Sequence, residues 1–263
     1  MKPVLILFVL FLLLAPTGVF ADKDREEKIL IYSTNPLYPP YDWAVDENTF
    51  AGAAVELLER VIPPGVMLQP AVFPWKRAML LAENGEIDLL MPLRITPERS
   101  EYLNFLPNRA FRNPIVVFKL KRRDISLSEF SDLKPYVGGV SRGDTFGGGF
   151  DEYWRSELTM EVADTMAQNF RKLEFGRIDY FVTGYYTGMT YLKKNNLDLN
   201  IEAMDYKISD VFIHFGFSKM YRDEAVMNYI NDQLGELNST GETDSLLMKY
   251  IDVYNENENE YLP

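Results

Sequence analysis

The chain has 263 residues, 39 acidic against 27 basic side chains, a formal charge of −12 and no cysteine. Disulfides, thiolate catalysis and cysteine-based zinc sites are excluded, and a chain of this length buries a core large enough to do without staples. The acidic balance argues against nucleic acid and anionic membrane surfaces as partners, and a single histidine, His214, leaves a Ser-His-Asp triad or a histidine metal cluster almost nothing to use.

In chain order, Met1 to Ala21 carries Lys2, an unbroken apolar run from Val4 to Ala15, then Pro16 and Gly18 before Val19-Phe20-Ala21. That is the layout of a secretory signal peptide cut after about Ala21, and the apolar run is short for a membrane span. No cysteine is present to carry a lipid, so the expected mature protein is free in an extracytoplasmic space. Ile29 to Tyr32 forms a first strand, broken by Ser33-Thr34-Asn35 and Pro36, and Leu37 to Trp43 follows as an extended aromatic loop. Gly52 to Val61 is an amphipathic helix stopped before Pro63-Pro64-Gly65, and Val66 to Phe73 is a second strand.

Pro74 suits the first position of a helix, where no backbone N–H is needed. From Trp75 to Glu83, Ala78, Met79, Leu81 and Ala82 recur at helical spacing, and Asn84-Gly85 reads as the left-handed stop. Ile87 to Leu93 is a nearly continuous apolar run, as in a strand buried on both faces of a sheet. Thr96-Pro97-Glu98 starts a new helix with Thr96 as N-cap. Arg99 therefore lies in the first turn of a helix beyond the C-terminal end of a buried strand, where ligands bind in open α/β sheets. Free N–H groups plus a guanidinium suit a carboxylate or phosphate; the plainer role is a surface ion pair with Glu98 or Glu101.

Pro114 to Phe118 is a strand running out of this region, followed by the short charged segment Lys119 to Asp124. Ile125 to Leu133 is a short helical region and Tyr136 to Val140 a strand, after which Ser141 to Phe146 turns and Gly147-Gly148-Gly149 keeps the turn open. No Lys-Ser/Thr follows these glycines, so a nucleotide loop is rejected. Ala167 to Glu174 is a helix, and Phe175 to Val182 repeats helix, G-x-I-D and apolar strand, with Gly176 91 positions after Gly85. The recurrence predicts two similar α/β lobes. Lys207 to Ser218 returns the chain to the first lobe, Arg222 to Leu237 and Asp244 to Tyr254 are closing helices, and the tail is polar and acidic.

The G-x-I-D of Gly85, Ile87 and Asp88, an apolar strand, then T-P-E-R at Thr96, Pro97, Glu98 and Arg99 resembles the polar-amino-acid class of periplasmic solute-binding proteins, family 3. The resemblance covers nearly the whole mature chain. It implies a periplasmic binding protein-like, type II, α/β fold: lobe 1 from 22–119 and 213–263, lobe 2 from 120–212, two crossings, and a ligand cleft between the lobes that closes by hinge motion. It also implies that Arg99 grips a ligand carboxylate, that Tyr38 stacks on the ligand, and that Trp75 lines the cleft. Tyr41 stands beside Tyr38 as a further contact, although Tyr41 and Trp43 also suit plain packing of their loop. The turn with Asp144 and Thr145 would complete the carboxylate site. Members that bind α-amino acids carry an aspartate where this chain has Gly184, with Tyr185 and Tyr186 beside it. Asp144 is the obvious substitute for the ligand's ammonium, unless it only caps its own turn, and ordinary α-amino acids are expected to bind poorly.

The expectation is a monomeric, non-enzymatic protein of the periplasm. It captures a small, carboxylate-bearing ligand and hands it to an inner-membrane ABC permease, with no cofactor, metal or nucleic acid involved. Two alternatives stand beside it: a ligand-sensing partner of a membrane receptor, and a dehydratase-type enzyme on the same fold. Dehydratase relatives carry an acid near residue 184, which Gly184 does not supply. Genomic neighbours, a permease and ATPase or a sensor kinase, separate transport from sensing.

Overall fold

The computed structural model describes residues 28–256; the expected leader, 1–21, and the end of the acidic tail, 257–263, lie outside that range. The first lobe opens with β1 (Lys28–Ser33), then a small antiparallel sheet of β2 (Leu37–Tyr38), β3 (Asp42–Asp46) and β4 (Thr49–Ala51). It continues through α1 (Ala53–Val61), β5 (Val66–Pro70), α2 (Trp75–Glu83), β6 (Leu89–Leu93), the single turn α3 (Pro97–Ser100) and β7 (Leu103–Phe105). β8 (Phe111–Leu120) leads out into β9 (Val137–Ser141), α4 (Phe150–Glu157), β10 (Thr159–Ala163), α5 (Met166–Glu174), β11 (Tyr180–Gly184) and α6 (Tyr185–Lys194). β12 (Ile201–Ser218) returns, and α7 (Glu224–Thr240) and α8 (Glu242–Glu256) pack on the first lobe.

The long strands β8 and β12 are the two crossings. They pair antiparallel from Leu120↔Ile201 to Phe111↔Ile213, after which β12 exchanges β8 for β6 and β7. The main sheet therefore runs β10-β9-β11-β8-β12-β6-β1-β5, with β7 also beside β12. On either side of this ribbon the strands are parallel, β1 with β5 and β6 in one lobe and β9 with β10 and β11 in the other. Along β8, Ile115 and Val117 face one apolar cluster while Val116 and Phe118 face another. Both faces of the second lobe's sheet are covered, which is why that stretch is apolar without alternation.

The repeated G-x-I-D has one physical meaning in both lobes. Gly85 and Gly176 end α2 and α5 in the left-handed region, with φ of 76° and 67°, where a β-carbon is unfavourable. Ile87 and Ile178 are buried under the following strands. Asp88 then exchanges two bonds with Ile31 of β1: its N–H donates to the Ile31 carbonyl, and its carboxylate accepts from the Ile31 N–H at 2.8 Å. Asp179 does the same to Val137 of β9, accepting at 2.9 Å. Each aspartate thus sets the register of the strand next door, at the floor of its lobe.

Several elements differ from expectation. The aromatic segment from Leu37 to Trp43 is not a free loop, because Leu37↔Trp43 and Tyr38↔Asp42 pair as β2 and β3. The second strand stops at Pro70, short of Phe73. Pro74 stands just outside α2, its carbonyl accepting from Arg77 and Ala78 N–H. α4, β10 and α6 had no counterpart in the periodicity: α4 buries only Phe150 fully, and β10 only Ala163.

Candidate functional site

The C-terminal ends of β1 and β6 face those of β9 and β11 across the ribbon, and the candidate residues gather there. Thr96 adopts an extended conformation and its hydroxyl accepts from the Arg99 N–H at 3.2 Å, with Pro97 at the first helical position. That cap turns the chain sharply, so the half-buried Arg99 reaches back along β6 and donates through Nη1 to the Arg94 carbonyl at 3.0 Å. Burial lowers the guanidinium pKa, opposed by Tyr102 and Glu98, yet an arginine stays charged throughout the ordinary pH range. Among the described residues no carboxylate lies within 4 Å of it, so the plain ion pair with Glu98 or Glu101 does not form.

The facing wall is the loop after β9. Phe146 is buried in the second lobe's core, and its N–H and that of Gly147 both donate to Asp151, at 2.9 and 2.7 Å. The Ser209 hydroxyl donates to the Phe146 carbonyl at 2.5 Å, which ties the loop to β12. Gly147, Gly148 and Gly149 have φ of 73°, 62° and 78°, so the glycine run serves a left-handed path rather than a phosphate. The tethered loop presents Thr145 to the cleft, and Arg94 comes from the other lobe to meet it. Arg94 Nη1 donates to the Thr145 carbonyl and to Thr145 Oγ1, the latter at 3.1 Å. A β-carbon at Gly147 would sit 3.0 Å from Arg94 Nη2, so the glycine also makes room for the guanidinium. Asp144 keeps one side open to solvent, but the protein crowded around its carboxyl pushes its pKa up to about 6, against the pull of Ser141 and Arg94.

Tyr38 stacks on Tyr41 with ring centres 5.0 Å apart and accepts a hydrogen bond from Asn113 Nδ2 at 2.8 Å. Burial holds its phenol far above the usual tyrosine range, so it stays a neutral donor. Tyr41 has no surface to offer a ligand: it is wholly buried, its hydroxyl donates to the Arg112 carbonyl at 2.8 Å, and its ring packs on Phe111 and Tyr186. Trp75 is half-buried against the cluster of Ala78 and Ile87. Tyr185 lines a groove on the α6 side of β8 with Arg112, Pro114 and Met189, whereas Asn113 alternates to the opposite face. The cleft thus collects Arg99, Asp144, Thr145 and Tyr38, leaves out Tyr41 and Tyr185, and adds two residues that sequence reasoning missed, Arg94 and Asn113.

Gly184 explains Asn113. A β-carbon at Gly184 would lie 2.8 Å from Asn113 Oδ1 and 3.0 Å from Thr187 Oγ1. The buried Asn113 amide fills the place where a longer side chain from residue 184 would enter. Gly184→Asp is therefore expected to destabilise the fold by about 2 kcal/mol or more, through overpacking and an unpaired carboxylate. Asn113→Ala in the same chain should return part of that loss. Urea melts of the two variants and the double mutant read this directly, and an unchanged midpoint for Gly184→Asp would show the space to be free.

His214 is structural. Its Nδ1 lies 3.0 Å from the Leu106 carbonyl, and burial lowers its pKa, so it stays neutral. Among the described residues no group of three or more histidine, cysteine, aspartate or glutamate side chains could hold a metal ion, and no helix is long and apolar enough to cross a membrane.

Comparison with known proteins agrees with this architecture. A probable histidine-binding protein of Neisseria gonorrhoeae is 23% identical over 237 residues, 85% of this chain and 83% of its own. An ancestral cationic amino acid solute-binding protein superposes with a TM-score of 0.68 at 21% identity, covering 85% of this chain and 95% of that one. A histidine kinase sensor domain with similarity to periplasmic binding proteins has the same fold, with a TM-score of 0.65 at 20% identity over 86% of this chain and 97% of the other. The profile of bacterial extracellular solute-binding proteins, family 3, matches residues 30–253. With that match running from the first strand into the last helix, the chain belongs to the bacterial extracellular solute-binding proteins, family 3.

Proposed function

We propose that this protein captures a small anionic solute, carboxylate-bearing by the chemistry of Arg99, and passes it to an inner-membrane ABC permease without altering it. The observation that carries the reading is Arg99, a half-buried guanidinium at the cleft with no carboxylate partner among the described residues. A desolvated fork of this kind is costly unless an anion arrives to meet it. Lobe 1 (22–119 and 213–263) and lobe 2 (120–212) would swing about the β8–β12 ribbon, closing Tyr38 and Arg99 onto the ligand from one side and the Thr145 loop from the other. The leader at 1–21 places the mature monomer in the periplasm in this reading. Asp144 lies beside Arg94, and the space at Gly184 holds an amide, so a ligand ammonium finds little free negative charge. A thermal-shift screen of monocarboxylates, dicarboxylates, amines, amino acids and short peptides tests the proposal, because a ligand that binds the folded state raises Tm by mass action. Stabilisation by acids, and none by amines, is the expected result; the reverse order would overturn it.

A further inference from the structure

The anchor at Arg99 is not alone. Arg94, five residues earlier, leaves the end of β6, crosses the cleft and ends on Thr145 of the other lobe. The two arginines are neighbours, since Arg99 Nη1 rests 3.0 Å from the Arg94 carbonyl and the charge of Arg94 acts on Arg99. Two guanidinium ions held together in a partly desolvated cleft repel each other, and an arginine tied at one nitrogen still has donors on Nε and Nη2. Tyr38 adds a third donor: its oxygen accepts from Asn113, which leaves the phenolic O–H to point elsewhere. Of the carboxyls that act on these groups, Asp42 is wholly buried, Glu98 lies beside Arg99 on α3, and Asp144 comes from the facing loop.

Resting on the reading of Arg99 as anchor, we infer that Arg94 is a specificity-determining residue, and that the cleft selects a ligand with two anionic groups, one for each guanidinium. A zwitterionic amino acid would place its ammonium in a cavity of donors, next to two cations. Asp144 does not cancel both charges, because it brings a single carboxyl, which already faces Arg94, against two guanidinium ions. The Thr145 contact makes the choice part of closure: Arg94 reaches its place in the site only when the second lobe's loop is there to hold it. The loop is built for that purpose, fixed by Asp151 and Ser209 and opened by Gly147.

Calorimetric titration with dicarboxylates of three to six carbons and with 2-phosphoglycolate, against butyrate and L-alanine, tests the inference on the intact mature chain. The wild type should bind its best dianion at least tenfold more tightly than butyrate. Arg94→Ala should abolish that preference, lowering dianion affinity about tenfold or more relative to butyrate; Arg94→Lys should recover part of it. The phosphoglycolate arm separates a phosphate from a second carboxylate. An unchanged dianion-to-butyrate ratio in Arg94→Ala overturns the inference, as does L-alanine binding more tightly than every dianion, or no dianion binding at millimolar concentration. The anchor fails separately: if Arg99→Ala leaves butyrate affinity intact, the reading of Arg99 is at fault. Melting of the ligand-free variants shows that each is folded.

Discussion

Arg99→Ala is expected to weaken the anionic ligand by thirty-fold to several-thousand-fold, and Arg99→Lys by nearly as much. Removing one partner of a desolvated, hydrogen-bonded charge pair costs about 2–5 kcal/mol, much of it from leaving the other charge unpaired. Lysine keeps the charge but has no planar fork to meet a carboxylate with two parallel N–H donors. The geometry already discounts the competing role: the guanidinium is half-buried, touches the Arg94 carbonyl, and forms no ion pair with Glu98 or Glu101. A surface pair would be worth under about 1 kcal/mol, with no bearing on any ligand. The fold should survive, because a side chain at an open cleft leaves no cavity and the Arg94 carbonyl can turn to water, a loss of about 1 kcal/mol. Titration of the best acid from the screen, with melts of the ligand-free variants beside it, decides. Wild-type affinity in both variants would remove Arg99 as the anchor and the carboxylate ligand with it.

The parts of this molecule that could be read from sequence are those whose physics is local. Gly85 and Gly176 announce left-handed helix stops, Thr96 with Pro97 announces a cap, and each is where the sequence puts it. The aspartates of G-x-I-D mattered for a reason that no local pattern contains, a pair of bonds to a strand more than forty residues away in sequence, as Asp179 to Val137 shows. Arg94 was missed for a similar reason. In sequence it is an ordinary charge after a strand, and its meaning comes from a loop of the opposite lobe, through Thr145. In sequence Asn113 is a single polar residue before an apolar run, and nothing local tells that it fills the space above Gly184 and holds Tyr38. Tyr185 fell on the wrong side because β11 passes directly into α6, so a shift of one position changes face rather than depth. Tyr41 carried the aromatic character of a ligand contact, but its hydroxyl bonds β8 and its ring belongs to the core.

Asp42→Asn is expected to stabilise the protein at neutral pH and to do so more strongly as pH rises. Asp42 opens β3, is wholly buried, and neither carboxyl oxygen completes a well-formed hydrogen bond, although the Thr34 hydroxyl and the Asn35 N–H lie near enough to oppose the shift. Gly52 presses its backbone against Asp42, with a hypothetical β-carbon only 2.6 Å from the Asp42 Cα, so water has no approach from that side. Desolvation dominates and holds the carboxyl pKa well above its usual 3.8. The sign follows from proton linkage. Above pH 4 the unfolded chain releases this proton while the folded chain keeps it, so the stability contributed at low pH is lost as pH rises towards the folded pKa. The loss amounts to about 1.4 kcal/mol for each pH unit in that window. An amide has nearly the same shape and no proton to retain, so the variant escapes the loss. Melting curves of wild type and Asp42→Asn at pH 4, 6 and 8 should therefore diverge, with the variant gaining roughly 2–4 °C over wild type for every kcal/mol. The other carboxylates titrate alike in both proteins and cancel in the difference. Parallel curves across the range would mean that Asp42 ionises normally inside the fold, with Thr34 and Asn35 solvating it as well as water does.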